Sequence, residues 1–265
     1  MSFLNLENKL FLITGVANKK SVAYYSAKTL LENGADVIFT VLNSEIRERV
    51  EKLFPGKKIY LLDVESEAGI HDFGKLLENE GVVLNGFLHS IAFANYSEGI
   101  RPFHETKLAD FIQANTISCF SLIALSNALK NVLEKNASVV TISISSTRAT
   151  NYGYMGPVKA ALDSSVAFLA KSFSKDTDVR FNAVCSGPLK TSASAGIPGY
   201  IENYLYAEEL TMRKRALETA EVANTVVYLL SPSSSGINAS NMLVDAGMSA
   251  NYFDEKVVAA FSRQT

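Results

Sequence analysis

Leu10-Phe11-Leu12-Ile13-Thr14-Gly15-Val16-Ala17-Asn18-Lys19-Lys20-Ser21-Val22-Ala23 is the stretch on which the reading of this fold turns. Its first five residues carry no charge and read as a fully buried strand that stops at Gly15. From Ser21 onward Ala23, Ala27, Leu30 and Leu31 recur at helical spacing, and Asn33-Gly34 supplies a stop signal. The run from Val37 to Leu42 reads as a second buried strand, so the unit is strand, helix, strand with a right-handed crossover to a parallel neighbour. In such a unit the helix N-terminus faces the carboxyl ends of the strands, where free N–H groups and the helix dipole favour a pyrophosphate. Only Gly15 stands where nucleotide-binding turns usually carry three glycines, so this stretch alone leaves an empty βαβ unit equally open.

Working outward, further strands are predicted at 58–62, 86–90, 138–143, 180–185 and 241–244, alternating with helical stretches near 67–80, 107–133, 152–175 and 220–230. Strict alternation implies an α/β fold of the doubly wound, Rossmann type: a parallel sheet of about seven strands with helices on both faces. Residues 1–265 read as a single domain. The one long irregular segment, 192–215, reads either as a binding lid or as a surface excursion. Gly187-Pro188 places it at the carboxyl end of a strand, where ligands bind, which favours the lid.

Composition excludes several classes. A formal charge of −2 over 265 residues gives no basic stripe for nucleic acid, and no apolar run suggests a membrane span. The start, Met-Ser-Phe-Leu-Asn-Leu-Glu-Asn-Lys, has no charged segment followed by an apolar one, so a cytoplasmic protein is expected. Cys119 and Cys185 read as buried free thiols, and three histidines without a Cys/His cluster give no support for a metal site.

Tyr152 and Lys159 are the candidate chemical pair. Seven residues on a helix span about 700° of rotation and roughly 10 Å, so the two would share a face. Lys159 would then lean toward Tyr152 and lower the phenol's pKa from its usual value near 10.

Gly15-x5-Ser21-x-Ala23, His89-Ser90-Ile91-Ala92-Phe93-Ala94, Tyr152-x6-Lys159 and Ser186-Gly187-Pro188-Leu189-Lys190-Thr191 together resemble the bacterial enoyl-[acyl-carrier-protein] reductases of the short-chain dehydrogenase/reductase superfamily, from the first strand to Val244-Asp245-Ala246-Gly247. The six-residue spacer between Tyr and Lys is the specific mark, since most other branches of the superfamily use three, and that register falls on Met155. The resemblance implies a nicotinamide dinucleotide with its pyrophosphate across Gly15 to Ser21 and Val22, beside Leu42, and its adenine near Asp63 and Val64. It also implies a ribose near Ser90, Ile91 and Ala92 and held by Lys159, a carboxamide clamped by the Leu189 main chain, and a pyrophosphate contact at Thr191. Substrate would lie against Ala92, Phe93, Ala94, Ile144 and Tyr152, with Tyr152 as the oxyanion partner in reduction of a trans-2-enoyl thioester in fatty acid biosynthesis. Thr40 to Ser44 contains no Arg or Lys for a 2′-phosphate, so the expected cofactor is NADH. Relatives of this kind are generally homotetramers, and their substrates ride on acyl carrier protein, with coenzyme A thioesters as the other option.

The chain departs from the pattern in three places. Ile144 stands where many relatives have a second tyrosine, and the loop to Tyr152 is about two residues shorter than theirs. Ser145 or Ser146 with Asn115, Tyr154 and Lys159 faintly resembles the carbonyl-reducing short-chain enzymes, although Tyr154 to Lys159 has one spacer residue too many for that set. A silent dinucleotide-binding paralogue is the third reading. Finally, 195–202 lacks the basic residues that attract an acidic carrier, which leaves Arg213-Lys214-Arg215 as the candidate docking run or a solvated helix end.

Overall fold

The computed structural model describes residues 2–191, Ser194 and residues 197–262. Seven strands, β1 (Leu10–Thr14), β2 (Asp36–Val41), β3 (Ile59–Leu61), β4 (Leu84–His89), β5 (Leu133–Ile144), β6 (Arg180–Ser186) and β7 (Ser240–Val244), form one sheet in the order β3-β2-β1-β4-β5-β6-β7. Every neighbouring pair is parallel. Helices α1 (Val22–Glu32), α2 (Ser44–Leu53) and α3 (Glu67–Asn79) follow the first three strands. After β4 comes a rod made of α4 (Leu108–Asn115), one π-helical turn (Thr116–Phe120) and α5 (Ser121–Leu129). Next are α6 (Met155–Phe173), α7 (Tyr200–Leu210), α8 (Thr219–Leu230) and α9 (Glu255–Ser262).

Local chemistry explains the ends of α1. Ser21 caps it, its Oγ accepting from Tyr24 N at 3.1 Å, and Gly34 beyond its C-terminus takes φ +82°, a conformation that costs glycine least. The sheet separates two apolar cores. One gathers Leu12, Phe87, Val139 and Phe181 with α3, the rod and α6; the other gathers Phe11, Ile13, Phe39 and Val140 with α1 and α8. Both faces are therefore covered, as a parallel sheet requires.

Three expectations need correction. The rod 108–129 is, by length and mean hydropathy (1.4), apolar enough to cross a membrane. Its Leu122, Leu125 and Leu129 are nonetheless buried in the core of this domain. Strand β5 starts at Leu133 rather than Ser138, because exposed Glu134, Lys135 and Asn136 extend it beyond the body of the sheet, where no hydrophobic pattern marks it. And the segment 192–215 is not irregular throughout: α7 occupies its middle, while residues 192, 193, 195 and 196 lie outside the described residues.

Candidate functional site

The strand order changes direction between β1 and β4, and the site is built where their carboxyl ends diverge. Gly15 follows β1 at φ +80°, and a Cβ there would sit 1.9 Å from the Ser90 carbonyl oxygen. Backbone therefore touches backbone at the floor. Thr14 stitches the two strand ends together, its Oγ1 donating to Leu88 O at 2.9 Å and accepting from Ser90 N at 3.1 Å. Behind them His89 is wholly buried between Thr141 Oγ1 and Ser121 Oγ, each at 2.8 Å, and burial pushes its pKa down to about 3. It is held neutral, with one ring nitrogen donating and the other accepting.

The remaining sequence candidates lie along the same edge of the sheet. Leu42 is exposed just past β2, before Asn43, which caps α2 by accepting from Ile46 N at 3.0 Å. Asp63 follows β3 and turns the chain by accepting from Glu65 N at 2.9 Å, whereas the Val64 side chain is spent in the core. Ser90, Ile91, Ala92, Phe93 and Ala94 form the segment after β4, with Ala92 and Phe93 exposed. Ser118, in the π turn of the rod, holds that segment twice: it accepts from Phe93 N at 2.9 Å and donates to Phe93 O at 3.1 Å. Ile144 is half-buried at the end of β5.

Tyr152 is not on the helix. It ends a 3₁₀ turn, Thr150–Tyr152, and Gly153 at φ +59° reverses the chain before α6 starts at Met155. The helical estimate of its separation from Lys159 thus fails, because a distant residue fixes the turn: Tyr96 donates its hydroxyl to Tyr152 O at 2.9 Å. Nor is the phenol acidified. Burial, with Tyr200 adding to it, pushes Tyr152 up to about 12, so at neutral pH it is a protonated donor. Lys159 is buried on α6 and donates to Ile142 O at 2.8 Å. Burial lowers its pKa to about 8, against the opposing pull of Asp163, Cys119 and Cys185. Both cysteines are free and buried.

Tyr154 belongs elsewhere. Its ring packs against Tyr96 and its hydroxyl donates to Asn95 O at 2.9 Å, beside a cleft of about 440 Å³ lined also by Glu98, Lys107 and Asp110. A phenol so engaged does not serve the carbonyl-reducing arrangement that the sequence left open.

On the far side, Leu189 is buried after β6, and both its main-chain groups are taken. Its N–H donates to the Tyr200 hydroxyl at 2.9 Å; its carbonyl accepts from that hydroxyl at 2.9 Å and from Ser194 Oγ at 2.8 Å. Thr191 is half-buried, its N–H donating to Ser194 Oγ at 3.0 Å. Tyr200 and Ser194 went unnoticed in the sequence, as did His89 and Ser118 as individual residues; a lone Tyr or Ser outside a periodic element carries no signal. The basic run 213–215 is exposed and partly paired within the chain. Arg213 makes a bidentate pair with Glu221 at 2.5 and 2.6 Å, and Lys214 pairs with Asp254.

A Gly15 turn that admits close approach, a capped helix N-terminus, a partly buried Tyr152 and a buried Lys159 fit a nicotinamide dinucleotide. The family model described as Enoyl-(Acyl carrier protein) reductase matches residues 15–249. The chain belongs to that family. It is 35% identical over 258 residues to the enoyl-[acyl-carrier-protein] reductase [NADPH] FabI of Staphylococcus aureus (strain MRSA252), covering 93% of this chain and 99% of the relative. It is 34% identical over 246 residues to the [NADH] FabI of Enterococcus faecalis (strain ATCC 700802 / V583), covering 92% and 98%. The crystal structure of FabI from Candidatus Liberibacter asiaticus superposes with a TM-score of 0.89 at 28% identity, over 94% of this chain and 98% of that one. The chain is an oxidoreductase of this reductase family, and its cofactor is a nicotinamide dinucleotide.

Proposed function

We propose that this chain reduces trans-2-enoyl thioesters of acyl carrier protein to saturated acyl thioesters in fatty acid biosynthesis, with NADH as the preferred cofactor. The observation that carries the residue roles is a buried Lys159, held by Ile142 O near the end of β5, preceded on the same stretch of chain by a protonated Tyr152. Bound there, the dihydronicotinamide would supply a hydride to C3 of the substrate, and a proton from solvent would complete C2. The floor from Gly15 to Ser21 and Val22 would hold the pyrophosphate through main-chain N–H groups. Asp63 and the main chain at Val64 would flank the adenine, Ser90, Ile91 and Ala92 the ribose, and Thr191 the far phosphate. Tyr152 donates its phenolic hydrogen to the thioester oxygen as negative charge gathers there, a donor worth about 3 to 4 kcal/mol in comparable sites. Lys159, mostly ammonium at neutral pH with its pKa near 8, reaches ribose hydroxyls while Ile142 O steadies it. Phe93, Ala94 and Ile144 line the acyl path.

The NADH preference rests on Leu42 and Asn43. A 2′-phosphate beside an exposed leucine and a helix-capping asparagine would lose hydration without gaining a cationic partner from them. We further propose a cytoplasmic homotetramer, supported by the exposed Leu108, Ile112 and Phe120 of the rod and Phe168 of α6. A coenzyme A thioester remains the alternative carrier, since Arg213 and Lys214 are already paired.

The test is NADH consumption with crotonyl against acetoacetyl thioester, in wild type and in Tyr152→Phe and Tyr154→Phe. Turnover on the enoyl substrate alone, reduced about 100- to 1000-fold in Tyr152→Phe and little changed in Tyr154→Phe, supports the reading. Turnover on the keto substrate, or greater damage from Tyr154→Phe, overturns it.

A further inference from the structure

Leu189 is where two walls of the site meet, and its hydrogen-bonding capacity is exhausted. Its single N–H donates to the Tyr200 hydroxyl at 2.9 Å, and its carbonyl accepts from that same hydroxyl, from Ser194 Oγ and from the Thr191 N–H at 3.1 Å. A carboxamide asks a peptide group for the same pair of bonds, offering an oxygen to the N–H and an amide hydrogen to the C=O. We propose that the Tyr200 hydroxyl is a competing ligand of the Leu189 main chain, so that a nicotinamide carboxamide docks there only when Tyr200 and the start of α7 swing aside. This rests on the reading that Leu189 clamps the carboxamide.

Three observations make the exchange physical. Tyr200 opens α7 directly after Gly199, which adopts φ +68°, so the residue before Tyr200 has the widest choice of backbone conformations. Most of α7 is loosely held: Ile201, Leu205 and Tyr206 are exposed, and its buried anchors are Tyr204 and Ala207. Tyr200 also adds to the burial that raises the Tyr152 pKa, which ties the group occupying Leu189 to the proposed oxyanion donor. The lid and the cofactor are therefore coupled through one residue. Affinity for the dinucleotide is reduced by the fraction of molecules in which Tyr200 holds Leu189.

The experiment measures dissociation constants by calorimetry for NAD⁺, ADP-ribose and 3-acetylpyridine adenine dinucleotide, on full-length wild type and Tyr200→Phe. The acetyl group accepts from the Leu189 N–H but has no hydrogen for the carbonyl, so wild type should bind this analogue several-fold more weakly than NAD⁺. If it binds both equally, Leu189 does not clamp the carboxamide and the parent reading fails, taking this proposal with it. Given that discrimination, Tyr200→Phe should tighten NAD⁺ by about tenfold and leave ADP-ribose, which has no carboxamide, unchanged. Unchanged or weaker NAD⁺ binding in the variant overturns the competition while leaving the Leu189 clamp intact. Equal changes for NAD⁺ and ADP-ribose overturn it as well, because the effect then lies outside the carboxamide. Tyr200→Leu repeats the comparison should the phenylalanine variant fold poorly.

Discussion

The floor of the site and its lid are built on opposite principles. At the floor, Gly15 lies against the Ser90 carbonyl, Thr14 binds both Leu88 and Ser90, and His89 is locked between Thr141 and Ser121, all wholly or largely out of water. Among the described residues of the lid, Leu189, Ser194 and Tyr200 are joined by side chains that reach back to main chain, and Arg213 forms an ion pair with Glu221 at the surface. Buried backbone contacts have no alternative partner, so they are rigid and expensive to break. Surface pairs can exchange with water and are cheap to open. A reductase whose cofactor must enter and leave needs both.

The comparison can be broken most forcefully at Gly15. Gly15→Ala forces a Cβ to 1.9 Å from Ser90 O in a backbone region that L residues avoid, and nothing but main chain can yield. We expect a loss of more than about 3 kcal/mol, with NADH binding abolished in any folded fraction. A variant that melts within a few degrees of wild type and keeps its NADH affinity would show that the floor is not rigid.

His89 gives an intermediate effect with a pH signature. Its folded pKa of about 3 lies below the ordinary 6.5, so between those values the unfolded chain binds the extra proton. Stability is therefore level above pH 6.5 and is lost as pH falls, with a limiting slope of about 1.4 kcal/mol per pH unit from this one group. His89→Gln keeps an amide donor and acceptor but cannot titrate. The unfolding free energy from urea titration should fall by about 1–2 kcal/mol at pH 7 and show a shallower decline from pH 6.5 to pH 5. Parallel pH profiles would mean that His89 is not the buried titrating group of the floor.

The smallest effect belongs to the lid. Arg213 and Glu221 are both about one-third exposed, and their hydrogen bonds hold the Glu221 pKa down to about 2. Arg213→Ala should cost under about 1 kcal/mol of global stability and speed proteolysis between α7 and α8. A larger loss of stability than that from His89→Gln would erase the distinction between floor and lid. A selective loss of kcat/KM on carrier-bound substrate, with coenzyme A thioester unaffected, would mark the basic run as a docking patch.

Much of this was legible along the chain. The uncharged run Leu10–Thr14, the Ser21 cap and the Asn33-Gly34 stop are local facts, because burial on both faces demands continuous apolar residues and a helix end needs a nearby side chain. The same holds for the strand alternation that gave the parallel sheet and put Gly15, Ser90, Ile144 and Leu189 along one edge. What the tertiary structure decided depended on partners far away in sequence. Tyr152 left the helix because Tyr96, 56 residues earlier, holds its carbonyl while Gly153 turns the chain. The phenol became less acidic because it is buried, with Tyr200 adding to the effect. Tyr200 found Leu189, and Arg213 found Glu221, through side chains whose reach no periodicity records. Sequence fixes what a residue can bond to within a turn or a strand; which distant group it meets is settled only when the layers pack.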